Sequence, residues 1–211
     1  EIMNINDPPV ITIQQNALTN EEVPITIPFS IYDEEGADVV MNGLTDTTSV
    51  TVLTSDTTIV VTPELNWFGN AKLFLTADDG DTTITDTILL TVENVNDAPV
   101  LNSGFSENIL IRNVTVPLFV IEVDGDEIQI NGVFRLDQND TWYPMNINTD
   151  TSYAGNVEFS VEWETLDKTG NQINWGYWET AECSLWVNDG LVNSNAIVFD
   201  SLKLINIAGD Y

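Results

Sequence analysis

Two stretches of this chain carry side chains that offer a ligand nothing but amide and carboxylate oxygen. They are Asn4-Ile5-Asn6-Asp7-Pro8-Pro9-Val10 and, ninety residues on, Asn94-Val95-Asn96-Asp97-Ala98-Pro99-Val100. Asn and Asp side chains, with the peptide carbonyls beside them, suit a hard cation. The proline that follows holds the chain extended and keeps it from turning helical. A flexible linker would be rich in Gly and Ser instead. Reuse of Asn-x-Asn-Asp-x-Pro-Val marks where two modules begin, 1–97 and 98–211, and predicts that the second copy is a joint that clamps an ion.

Charge points the same way. Five basic residues face 34 acidic ones, a net of −29. Such a protein repels nucleic acid and anionic membrane surfaces. No apolar run is long enough to span a bilayer. A solubilising surface would also be acidic, so the carboxylates count as ligands only if the fold gathers them. The single Cys183 has no internal partner for a disulfide and sits among Ala181, Leu185 and Val187, which predicts a buried thiol. With no starting Met and no leader, the sequence reads as a piece of a longer protein.

The elements that must position these residues are strands. A hydrophobic fraction of 43%, with Val, Ile and Thr in short runs, argues for folded β-structure. Period-two alternation between turn signals predicts seven strands in the first module, near Val10–Ile13, Val23–Ile31, Ala37–Met41, Ser49–Leu53, Thr57–Thr62, Ala71–Ala77 and Thr83–Glu93. In the seventh, Asp86 interrupts the inward row Ile84, Ile88, Leu90, Val92 without a local reason. Seven strands in under a hundred residues predict an immunoglobulin-like sandwich. Its loops after strands two and six share the end at which the chain comes in, which gathers Asp33-Glu34-Glu35-Gly36 and Asp78-Asp79-Gly80-Asp81 beside Asn4, Asn6 and Asp7. The exit end gathers Glu21, Glu22 and Glu64 beside Asn94, Asn96 and Asp97.

The second module repeats the plan, with Asp124-Gly125-Asp126 as the expected counterpart of Asp33-Glu34-Glu35, and Asn188-Asp189-Gly190 of Asp78-Asp79-Gly80. Two sandwiches end to end would then bring Glu22 and Glu64 to one side of the joint and Asp124, Asp126 and Asp189 to the other. Where the first module has Glu21-Glu22, the second has Arg112-Asn113, which predicts no clamp at its own exit.

At these residues the chain resembles a cadherin-type tandem repeat, in particular the bacterial cadherin-like modules of large secreted or surface proteins. The resemblance rests on Asn94-Val95-Asn96-Asp97-Ala98-Pro99, on Asp33-x-Glu35 and Asp124-x-Asp126, and on the Asp79-Gly80 and Asp189-Gly190 turns. It implies all-β, Greek-key, immunoglobulin-like modules whose joint is stiffened by Ca2+. The implied ligands are Asn94, Asn96, Asp97, Asp124, Asp126 and Asp189, with Glu22 and Glu64 from the preceding exit end. Asn4, Asn6, Asp7, Asp33, Glu35 and Asp79 form the matching set at the head of the first module. Asn94 stands where the family has Asp, and Ala98 where it has Asn, so the number of ions is left open. The implied partners are neighbouring modules of the same chain and a cell-surface protein or polysaccharide.

The middle of the second module departs from that pattern. It contains Trp142-Tyr143, Tyr153, Trp163 and Trp175-Gly176-Tyr177-Trp178, with Trp186 beyond. Trp163 continues the row Val157, Phe159, Val161 and reads as core, whereas Trp186 points opposite to Cys183, Leu185 and Val187. Trp175, Tyr177, Trp178 and Trp186 are either a second apolar cluster or a platform for sugar rings. Catalytic signatures are absent: no His, no Gly-x-Ser-x-Gly, no phosphate-binding loop. The leading expectation is a calcium-rigidified extracellular structural and adhesion segment. The alternative is a carbohydrate-binding module of a secreted enzyme.

Overall fold

The computed structural model describes residues 5–103, 109–111, 115–135, 141–144, 146–148, 155–162 and 177–205. The chain divides into two units, Glu1–Val95 and Asn96–Tyr211, a boundary two residues before the one expected.

In the first unit the strands are β1 (Val10–Ile13), β2 (Asn16–Asn20), β3 (Ile25–Tyr32), β4 (Val40–Thr45), β5 (Val50–Thr54), β6 (Thr58–Pro63), β7 (Gly69–Asp78) and β8 (Thr83–Glu93). They form two sheets, ordered β1-β3-β6-β5 and β2-β8-β7-β4. This is the strand order of an immunoglobulin-like Greek-key sandwich. Alternation works as expected: Ala71, Leu73, Leu75 and Ala77 of β7 are buried, as are Ile88, Leu90 and Val92 of β8. They pack against Ile27, Phe29, Ile59 and Val61 of the facing sheet to make one core.

Among the described residues of this unit there are eight strands, not seven. β2 is not legible in the sequence because Asn and Gln flank it as turn residues, and its pairing with β8 is parallel and long-range. Its position explains Asp86. The Gln15 side-chain amide donates to both Asp86 carboxylate oxygens (3.3 and 3.1 Å), while the Leu89 N–H donates to the Gln15 carbonyl (2.9 Å). Asp86 thus anchors the kink at which the chain leaves one sheet for the other. β4 begins three residues later than expected, because the Asp33 carboxylate accepts the Ala37 N–H (2.8 Å) and keeps that segment a loop.

The second unit contains β9 (Val100–Ser103), β10 (Ile109–Ile111), β11 (Thr115–Ile121), β12 (Gln129–Arg135), β13 (Tyr143–Pro144), β14 (Asn146–Asn148), β15 (Gly155–Glu162), β16 (Tyr177–Asn188) and β17 (Ile197–Ile205). Its sheets run β14-β15-β11-β9 and β10-β17-β16-β12-β13. Strand for strand this is the first unit again, with β13 added at one edge, where Pro144 is tolerated. Its core includes Leu118, Val120, Phe134, Cys183, Leu185 and Val187.

Candidate metal centre

Each unit gathers oxygen-bearing side chains where its linker comes in, and the two poles are built alike. The carboxylate of Asp79 accepts the N–H groups of Asp81 (2.8 Å) and Thr82 (2.6 Å), and that of Asp189 accepts those of Leu191 and Val192 (both 2.7 Å). Their second oxygens accept the side-chain amides of the incoming chain: Asn6 to Asp79 and Asn96 to Asp189, both 3.0 Å. The next residue is anchored through its backbone, Asp7 N–H to Glu35 (3.2 Å) and Asp97 N–H to Asp124 (2.6 Å). These contacts hold two segments of chain, 73 and 93 residues apart from their acceptors, at fixed positions.

The same contacts correct the expected register. Glu35 precedes Gly36 and Asp124 precedes Gly125, and both glycines take left-handed backbone angles (φ +70° and +82°). Asp124 is therefore the counterpart of Glu35, not of Asp33. The counterpart of Asp33 is Glu122, which the sequence hides because Asp124-x-Asp126 matches the motif better. Glu122 is buried, and its carboxylate accepts the N–H groups of Asp124 (2.9 Å), Gly125 (2.7 Å) and Asp126 (2.8 Å). Ala37 then stands where the second unit has Asp126, so the two poles differ by one carboxylate.

In the second unit, carboxylate oxygens of Glu122, Asp124 and Asp126 lie within 4.8 Å of one another. Burial, then the charges of Glu122, Asp124 and Asp189, hold the Asp126 carboxyl above its ordinary value. Asp189 is also buried, which alone would raise it, but the N–H groups of Val192 and Leu191 and the Asn96 amide hold it below. Asn96 spends its amide on Asp189 and on the Asp97 carbonyl, which leaves its Oδ1 buried without a donor; Asp97 Oδ2 is in the same position. In the first unit so is Asp33 Oδ2. Buried acceptors without donors are uncommon and need an explanation such as an ion. The donor set is all oxygen, which fits calcium and does not fit zinc or copper.

At the first unit's exit it is Glu21, 3% exposed, that turns inward, where its carboxylate accepts the Val95 N–H (2.6 Å). Glu22 is exposed, at a left-handed φ of +61°. The turn between β2 and β3 needs that angle at Glu22, which sends the two neighbouring side chains apart. Glu64 and Asn94 are exposed as well. Asn4, Trp163, Trp175 and the pair Arg112-Asn113 lie outside the described residues, as do the side chains of Tyr177 and Trp178. Trp186 is half-buried on the face opposite Cys183. Trp142 packs its ring on the Arg135 guanidinium (4.7 Å), which also bonds Glu182, while Tyr143 lies 5.5 Å from the Phe134 ring. Both Trp142 and Tyr143 are half-buried.

Fold and site together define a chain of two immunoglobulin-like sandwiches, each with an acidic, all-oxygen pole at its leading end. No family model matches the sequence, and no curated protein matches it. Among solved structures, human protocadherin-24 EC1-2 aligns over 99% of this chain and 100% of its own, at 14% identity and a TM-score of 0.49. Titin-A168169 aligns over 96% and 99%, at 8% identity and 0.41. The endo-fucoidan hydrolase MfFcnA4 from glycoside hydrolase family 107 aligns over 96% of this chain at 16% identity and 0.38, and the chain spans 29% of its length. Likeness at such identities is of fold alone.

Proposed function

We propose that the chain is a structural segment of a large extracellular, secreted or surface-anchored protein, stiffened by calcium bound where its linker joins the second sandwich. The observation that carries this reading is the pair of linker residues Asn96 and Asp97. Asn96 is bonded to Asp189 and Asp97 to Asp124, yet each keeps a buried oxygen without a donor, and Asp124 in turn shares one carboxylate cluster with Glu122 and Asp126.

Asn96, Asp97, Asp124, Asp126 and Asp189 would hold the ion, whose double charge offsets part of the negative charge of the cluster when bound. Glu122 has its oxygens turned to three backbone N–H groups and shapes the loop around them. On the other side of the joint, Glu21 fixes Val95 to the first unit. The linker is thus anchored residue by residue, and what the ion adds is relief of repulsion among its anchors. Asn6, Asp7, Asp33, Glu35 and Asp79 form the corresponding pole of the first unit, with one carboxylate fewer and, among the described residues, no three carboxylates drawn within 4.8 Å of one another. Such a segment is a spacer that projects other units and is not catalytic.

The test is a calcium titration of the whole chain by calorimetry, with backbone NMR relaxation of residues 94–99. The expectation is saturable binding and loss of fast motion in the linker. Asp124→Asn should weaken binding while leaving the fold intact. Heat and relaxation that do not respond to calcium would remove the reading.

A further inference from the structure

The first unit holds a cavity of about 380 Å³ whose lining shares only Asp33 with that unit's acidic pole. It opens between the loop after β3 and the turn joining β5 to β6. Its floor is Ile31, Val39 and Met41, all half-buried, and Met41 packs on the core below. Its rim carries Tyr32, 66% exposed, and the exposed carboxylates of Asp38 and Asp56; Asp33, which also lines it, turns one oxygen to the Ala37 N–H and belongs to the acidic pole. A volume of this size is in the range of small-ligand sites.

The chemistry of the lining selects the occupant. No lysine or arginine lines the cavity among the described residues, so any countercharge comes from outside. A bare metal ion is a poor fit. The oxygens of Asp33, Asp38 and Asp56 are not among the carboxylate groups that come within 4.8 Å of one another. Carboxylates spread round a rim, an apolar floor and an open aromatic face suit a cation on an aliphatic stem. The stem would lie on Ile31 and Met41, and the head would reach Asp38 and Asp56 with the Tyr32 ring beside it. We propose that this cavity receives a lysine side chain presented by a partner protein, and is the contact by which this module recognises that partner.

The experiment uses the full chain in saturating calcium, so that it succeeds or fails apart from the linker site. Nα-acetyl-lysine amide is titrated and the NMR shifts of Ile31, Tyr32, Val39 and Met41 are followed. The uncharged Nα-acetyl-norleucine amide serves as the comparison. Saturable shifts confined to these residues are expected with the lysine compound, at least tenfold weaker with norleucine. Asp38→Asn with Asp56→Asn should weaken lysine binding at least tenfold, whereas Asp46→Asn with Glu93→Gln removes two charges elsewhere in the same unit and should leave it within twofold. Equal weakening by both pairs means only diffuse attraction to an acidic protein and overturns the proposal. So does equal binding of norleucine, an absence of localised shifts, or a neutral oligosaccharide that shifts the same residues more strongly.

Discussion

Asp126 is a carboxylate of the acidic pole whose charged form its surroundings disfavour. Its folded carboxyl sits above the ordinary 3.8 because burial and three neighbouring acids disfavour its charge. A raised acid makes the fold most stable below its unfolded value, and that contribution is lost as pH rises through the raised folded value. Without calcium, Asp126→Asn should therefore raise the melting temperature at pH 7 and leave it unchanged at pH 3. On the calcium reading the sign should reverse at pH 7 in saturating calcium, because the variant would lack a ligand. Thermal melts in chelator and in calcium at both pH values check this, and a variant that behaves identically in the two would count against a metal at this pole. Cys183 offers an independent check of the core. Burial pushes its thiol up to about 12, so roughly one molecule in ten thousand carries the thiolate at pH 8. Alkylation should be undetectable in the native protein at that pH and complete in denaturant.

At the level of the element, the loop after β11 depends on Glu122. Glu122→Ala would leave three N–H groups without their acceptor and should destabilise the second unit by about 1–3 kcal/mol. The mispositioned loop should bind calcium about 10–100-fold more weakly, as seen when groups supporting metal ligands are removed. Calorimetry on the variant separates the two effects. In the first unit Gly43 in β4 lies close against β5 of the other sheet. A Cβ there would lie 2.4 Å from Thr54 Oγ1 and 2.8 Å from Val52 Cγ1 of β5. Gly43→Ala should therefore cost about 1–3 kcal/mol by overpacking. Thr54→Ala should recover part of it, since Thr54 Oγ1 is buried without a hydrogen-bond partner and little is lost with it. Chemical denaturation of the single and double variants gives the coupling directly.

Over the whole molecule, 34 acids against five bases make self-repulsion a global term, −29 in net charge. In chelator, raising the ionic strength from about 0.01 to 0.15 M shortens the screening length from about 30 to 8 Å and should raise the melting temperature. Calcium at about 100 times its dissociation constant should add about 2.7 kcal/mol per site, and the salt effect should shrink once it is bound. Scanning calorimetry over both variables tests this; a salt dependence that calcium leaves untouched would mean that the poles are not where the repulsion is relieved.

The features legible in the order of residues alone are the local and the repeated ones. Period-two alternation places β7 and β8 because a strand's inward positions are written in consecutive residues. The repeated Asn-x-Asn-Asp-x-Pro-Val locates the head of each module because a repeat needs no knowledge of the fold. Tertiary structure decides what depends on partners far along the chain: β2, which exists only because β8 lies beside it; Glu21 rather than Glu22 as the inward acid; and Glu122 rather than Asp124 as the counterpart of Asp33. Spacing says which carboxylates are near one another, but which of them turns inward follows from a left-handed residue and from N–H groups that only the folded chain presents.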